Sequence, residues 1–191
     1  MDHQQRVAWQ EGMFLLPQHF QQADRQHQGE GRFLATGRSA HAWGLTDLQL
    51  DEAALAAGVV AVSGVLPDGT VVQAPATDAP PPAREIGEHL PTSGEHCDLY
   101  LALPLAPYGR PSAAADGQVD GRATRYRRRP AAIRDEDGGD EQEIVVDYLN
   151  LQLRFGDESR DDLVCLRLGR LQRAPNGAPA PLASTPTAAG A

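Results

Sequence analysis

Six histidines, two cysteines and a run of carboxylates are the residues of this 191-residue chain able to hold a metal or move a proton. Their spacing speaks against both roles. His96 and Cys97 are adjacent, and neighbours on a strand point to opposite faces, so the pair is badly placed as base and nucleophile or as chelator. His19 and His27 stand about two turns apart on a predicted helix, whereas one metal is shared by an i, i+4 pair. His3, His41 and His89 read as surface or helix-face histidines. The acidic segment 135–143, DEDGGDEQE, carries two glycines that make it a solvated turn, and its ligand spacing does not fit a calcium loop. There is no phosphate-binding glycine loop, no G-x-S-x-G and no Cys-x-x-Cys. The expectation is a chain that is not an enzyme, with no catalytic residue, cofactor or metal.

The arginine cluster is a second candidate. Arg122, Arg125, Arg127, Arg128 and Arg129, with Tyr126 among them, have the composition of a polyanion site with an interleaved aromatic. A simpler reading pairs them across a hairpin with Asp135, Glu136, Asp137, Asp140, Glu141 and Glu143, each exposed pair being worth about 0 to 1 kcal/mol. Whole-chain charge supports it: Asp and Glu number 26 against 17 basic residues, all arginine, a formal charge of −9 that makes a poor nucleic-acid binder. No apolar run reaches the roughly 18 to 20 residues that span a bilayer, and residues 1–6 are polar, so the chain is read as cytoplasmic without membrane insertion. Cys97 and Cys165, both in apolar strand-like surroundings, read as reduced buried thiols.

The elements that must position these residues are mostly strands. Pro17 suits the first turn of a helix predicted to run to about Arg38, with a break plausible at Gly29 and Gly31. Leu48 and Leu50 alternate with polar neighbours as a half-buried strand, and a helical turn over residues 52–57 ends at Gly58. Residues 59–66 and 70–74 flank Pro67-Asp68-Gly69 and predict a hairpin. Proline-rich residues 78–94 read as loop, residues 98–103 as strand and 104–121 as a second loop. Residues 122–134 and 143–155 read as paired strands, and 162–173 as the last strand, covered on both sides for part of its length. One helix followed by strand after strand argues for a mainly β fold, an antiparallel β-sandwich with an N-terminal helix. The boundaries are residues 1–173 for the domain and 174–191 for a disordered Ala/Pro-rich tail.

Large apolar side chains concentrate in VAWQEGMFLLPQHFQQ, residues 7–22, where Trp9, Met13, Phe14, Leu15 and Leu16 fall within eight residues of one another. Burial is the expectation for most of them, with Trp9 and Trp43 anchoring the N-terminal segment to the sandwich. W-x-E-G-M-F-L-x-P-Q-H-F-Q-Q resembles the N-terminal signature of the TssK family, baseplate subunits of bacterial type VI secretion systems. Residues 42–52, with Ala42-Trp43-Gly44 and Leu48, Leu50, Asp51 and Glu52, are similar to a second family block. Residues 64–70 are similar to its G-x-F-P-D-G-T turn, with Leu66 in place of Phe. LYLALP, RYR and EIVVDYLNLQLRF follow in the family's order, so matching covers residues 7–171.

The resemblance implies a sandwich similar to the shoulder domain of phage receptor-binding proteins. It also implies a structural adaptor role in the baseplate, with the TssF and TssG wedge subunits as partners. Trp9, Met13, Phe14, Leu15 and Phe20 are the candidate partner-binding residues. TssK chains continue into a helical trimerisation region and a head that meets the membrane complex; neither is within these 191 residues, so membrane-complex contact is not expected. The chain is expected to be monomeric or weakly self-associated. The alternatives are a phage-type tail or receptor-binding adaptor outside secretion, and a carbohydrate-binding β-sandwich.

Overall fold

The computed structural model describes residues 5–37, 42–50, 52–58, 60–91, 96–106, 110–135 and 138–182. His3, His41, Asp51, Val59, Glu136 and Asp137 lie outside them, as do 183–191 of the expected tail. In chain order the elements are α1 (Pro17–Thr36), β1 (Gly44–Gln49), α2 (Glu52–Ala57), β2 (Ala61–Val65), β3 (Val71–Ala74), a 3-10 turn (Gly87–His89) and β4 (Cys97–Pro104). There follow β5 (Ala113–Ala114), β6 (Gln118–Val119), β7 (Arg122–Ala123), β8 (Tyr126–Arg134), β9 (Glu141–Leu149), β10 (Gln152–Phe155), β11 (Leu163–Arg173) and β12 (Pro179–Leu182). The mainly β, antiparallel reading holds, with the single short parallel pair β5–β8 as its exception among the described strands.

Two sheets enclose one core. β1-β2-β3 forms the first, and β10-β4-β11-β12 the second. Alternation decides which side chains enter: Val62, Val72 and Ala74 point inward from the first sheet, and Leu99, Leu101, Leu103, Leu153 and Phe155 from the second. They join Leu55 of α2 and Ile86 and Leu90 of the proline-rich loop in one continuous cluster. In β11 the inward phase Val164, Leu166, Leu168 gives way to Leu171, because a bulge between Arg167 and Gly169 inserts one residue against β4. A strict alternation read from sequence runs past that shift.

The predicted hairpin is β2–β3, with Pro67 opening the turn and Gly69 at φ 80° closing it. Gly58 ends α2 at φ 64°, where a Cβ would run into the Arg84 backbone carbonyl. Three expectations are corrected. The helix runs through Gly29 and Gly31 unbroken. The span 143–155 is two strands, because Asn150 leaves the β8–β9 ribbon and turns the chain into β10 beside β4. Its buried side chain donates to the carbonyls of Gly117 and Thr124 and accepts from Arg127 Nε at 2.6 Å, so the corner has its polar atoms satisfied. Residues 174–182 form a turn and then β12, paired with β11, despite their prolines. Proline is tolerated there because β12 is the edge of its sheet, where alternate N–H groups have no strand to meet.

Candidate partner-binding surface

The arm before α1 is shaped by local bonds. Gly12, at φ 76°, forms a turn in which Gln10 O accepts the Met13 N–H at 3.3 Å. Leu16 precedes the helix without a polar cap, and the Nδ1 of His19 accepts its N–H at 3.0 Å, doing what an N3 Glu or Gln does in a capping box. That bond gives His19 a structural task. Gln22 Nε2 donates to the Gln5 carbonyl at 2.8 Å, and the Trp9 ring lies 6.2 Å from His19 and 6.3 Å from Phe20, so the arm folds back along the helix.

The apolar residues of this unit face outward, which corrects the expected burial. Trp9 is 55% exposed, Phe14 84%, Leu15 52%, Leu16 45% and Phe20 58%; Met13 is half-buried. Trp43 is 39% exposed, so neither tryptophan is a core anchor. No described residue of α1 is buried. Its half-covered stripe is His19, Gln22, Ala23, Gln26, Gly29 and Arg32, at helical spacing but polar, and i, i+4 bonds such as Gln26 to Glu30 stabilise it without a core. The physical reason is that Met13, Phe14, Leu15 and Leu16 are consecutive. Consecutive residues cannot all point one way, and the arm is not a sheet strand with both faces covered. Sequence reasoning missed Phe33 and Leu34, also exposed. The signal was present: Phe20 and Leu34 are two heptads apart, which brings them within about 40° on the helix surface.

The helix rests on the hairpin turn. A Cβ at Gly69 would lie 3.0 Å from the Cβ of Arg32, so only glycine admits this approach without displacement. Arg125, the one arginine of the cluster that is buried (2% exposed), holds the turn in place from behind. Its Nη1 donates to Pro104 O at 2.9 Å, and its Nη2 donates to Asp68 Oδ2 at 2.7 Å and to Thr70 Oγ1 at 2.6 Å. Burial alone would raise the Asp68 carboxyl, but the Arg125 charge and the Thr70 bonds outweigh it and hold the carboxyl below its ordinary 3.8. This corrects the pairing expected for the cluster. Arg125 is paired with Asp68, Arg127 is bonded to Asn150, and Arg128 pairs with Asp147 at 2.9 Å, none of them with the acidic turn.

A second polar cluster closes the other end of the core. Arg84 donates from both Nη atoms to Glu158 at 2.8 Å, its guanidinium lies 4.9 Å over the Phe155 ring, and His89 stacks on that ring at 3.9 Å. Glu158 also accepts the Phe155 N–H, and the Arg84 bonds hold its carboxyl down to about 2. Every group in this cluster has a partner and a packing role. Cys97 and Cys165 are free thiols, Cys97 buried and Cys165 half-buried, each pushed up by burial. Among the described residues no three His, Cys, Asp or Glu side chains gather around a metal-sized site, and no helix is long and apolar enough to cross a membrane. What the surface offers instead is exposed apolar area on the arm and on α1.

Comparison with known proteins meets this picture. TssK1 of Pseudomonas aeruginosa, a type VI secretion system baseplate component, is 38% identical over 153 residues, 76% of this chain and 32% of that protein. The chain thus spans about a third of that curated relative's length. A cryo-electron microscopy structure of a TssK-TssF-TssG baseplate subcomplex has a chain that superposes with a TM-score of 0.80 at 24% identity, over 95% of this chain and 60% of that one. A second structure, of the type VI secretion baseplate complex, gives 0.78 at 24% over 93% and 57%. These two likenesses bear out the fold. Residues 19–181 match the model of the bacterial type VI secretion family described by VC_A0110, EvfL, ImpJ and VasE, and with the TssK1 identity this establishes that the chain belongs to that family, as its TssK resemblance implied.

Proposed function

We propose that this chain is a non-enzymatic adaptor of the type VI secretion baseplate that binds the TssF/TssG wedge through its N-terminal arm and helix. The observation that carries the reading is the outward display of Trp9, Phe14, Leu15 and Phe20 on a unit whose own stripe toward the sandwich is polar. Met13, half-buried between them, completes the candidate contact. Exposed apolar patches of several hundred Å² on a monomer are often functional. At about 200 Å² per ring, the uncovered fractions of Trp9, Phe14 and Phe20 sum to roughly 400 Å², on the order of 10 kcal/mol gross when covered. Association costs are of similar size, so these rings serve as anchors within a wider polar rim.

The membership of a baseplate family and the printed composition of the related subcomplex support TssF and TssG as the partners. Co-expression of this chain with TssF and TssG, followed by size-exclusion chromatography with light scattering, tests the reading. A shared peak is expected for the native chain, with its loss when Phe14 and Leu15 are both replaced by Ser. Unaltered co-elution of that folded variant removes the arm from the interface, and no co-elution of the native chain refutes the reading altogether.

A further inference from the structure

We propose that the outer face of the β10-β4-β11 sheet is a binding site for a short acidic peptide segment, held by four arginines around Tyr100. Alternation fixes which side chains stand there: Leu99 and Leu101 enter the core, so Asp98 and Tyr100 face away from it. Register then places Arg154 of β10 and Arg167 of β11 directly on either side of Tyr100. One step along the sheet, Arg170 stands opposite Asp98. The fourth arginine comes from the turn before β11: Arg160 lays its guanidinium over the Tyr100 ring, 4.4 Å from the centroid.

Charge on this face is one-sided. Asp98 is the only carboxylate that the three strands carry, and it is shared: Arg170 Nε donates to it at 3.3 Å and Arg167 Nη1 lies 3.8 Å away. Among the described residues Arg154 and Arg160 have no ion pair. Arg154 donates to the neutral Gln152 side chain at 2.9 Å and leaves its buried Nε without an acceptor, while Arg160 has the tyrosine ring. Glu158 feels the Arg154 charge but is bonded to Arg84. Four guanidinium charges thus face one carboxylate, in a chain whose formal net charge is −9. The bond to Gln152 and the stack on Tyr100 fix two of the four before a ligand arrives, which lowers the entropy cost of capture.

Spacing selects the size of the ligand. Neighbouring strands lie about 4.8 Å apart and alternate residues of a strand about 7 Å, so the patch is about 10 Å across and about 7 Å long. That area seats two or three carboxylates, and side chains two apart on an extended peptide have the same spacing of about 7 Å. A long polyanion such as a nucleic acid would run off the patch onto a chain that is net negative elsewhere.

The patch includes no residue of the arm or of α1 and does not rest on the baseplate reading above. Fluorescence anisotropy of the full chain with a short fluorescein-labelled peptide of alternating Glu and Ser tests it. Saturable binding with a Kd of about 100 µM is expected, about tenfold weaker on raising salt from about 50 to about 500 mM, and absent for the same peptide with Gln in place of Glu. Arg160→Glu and Arg167→Glu should each weaken it about tenfold. Asp98→Asn releases two arginines and should tighten it about threefold, a gain that damage to the fold does not produce. Arg129→Glu, on the β8–β9 ribbon, should leave it unchanged. No saturation by about 1 mM, equal binding of the Gln peptide, or tighter binding of a single-stranded oligonucleotide overturns the proposal. So does weaker binding by Asp98→Asn at a native melting temperature, or an Arg129→Glu chain as impaired as Arg160→Glu. Should Asp98→Asn lower the melting temperature, Arg160→Glu decides, because that side chain is exposed.

Discussion

Replacing Asp68 with Asn removes one charge from the buried pair that fixes the hairpin turn, and the loss can be worked from the bonds it leaves. The Arg125 guanidinium, 2% exposed, retains Pro104 O on Nη1 and Thr70 Oγ1 on Nη2, but its positive charge loses its carboxylate and its Nε already has no hydrogen-bond partner. An uncompensated buried charge of this kind costs about 3 to 5 kcal/mol. For a domain of this size that is a fall of about 6 to 20 °C in melting temperature. Because Gly69 of the same turn carries Arg32 of α1, the variant should also loosen the arm and weaken partner capture beyond what stability alone explains.

Urea denaturation of Asp68→Asn, Arg125→Met and the double variant gives the coupling directly. The double variant should lose less than the sum of the singles, since a methionine needs no carboxylate. The sign with pH follows from the depressed carboxyl: its stabilisation is complete above the unfolded value of 3.8 and is lost as pH falls through the lower folded value, and Asp68→Asn should lack that loss. Additive singles, or an equal cost for Asp68→Asn at neutral pH and in strong acid, would refute the reasoning.

Glu158→Gln should behave likewise over a wider window: the native carboxyl, held at about 2, contributes fully above about 4.5 and loses its contribution down to about 2, so urea midpoints of native and variant should converge toward pH 2. Allowing for solvent screening, its cost near neutrality is about 1 to 2 kcal/mol. Trp9→Ala should lower the unfolding free energy by less than about 1 kcal/mol, since the ring is more than half exposed, while reducing co-elution with TssF and TssG. Truncation before Ala174 removes β12 and uncovers the edge of β11 beside buried Leu171; a drop of several degrees by calorimetry is expected, and no drop would show β12 to be dispensable.

Local signals predicted local structure well. Pro67-Asp68-Gly69 specified the β2–β3 turn, Gly58 ended α2, and Pro17 opened α1, because in each case one residue's backbone preference settles the conformation. Alternating leucines announced β4 and its buried face. What the sequence hid depended on partners far along the chain. Asp68 reads as an ordinary turn residue until Arg125, 57 positions later, arrives beneath it. The break at Asn150 depends on carbonyls of Gly117 and Thr124, which nothing within residues 143–155 reveals. The exchange from Leu168 to Leu171 in β11 depends on a bulge against β4.

The largest misreading, burial of the apolar arm, follows from treating hydrophobicity as a statement about a chain's own core. The core was already filled: the inward positions of both sheets, α2 and the proline-rich loop close one continuous cluster without any residue of the arm or of α1. Every strand-borne leucine in that cluster sits at a position set by alternation or, for Leu171, by the β11 bulge, whereas Met13 to Leu16 have no regular element beneath them to assign a side. The same test applies to the β8–β9 ribbon, whose Ile133, Ile144 and Val145 also lie outside the cluster. Apolar residues that a completed core leaves out cost solubility in an isolated chain. On the arm and on the ribbon alike, they lie outside the cluster that folds the domain, so hydrophobicity in the sequence could not by itself assign them a side.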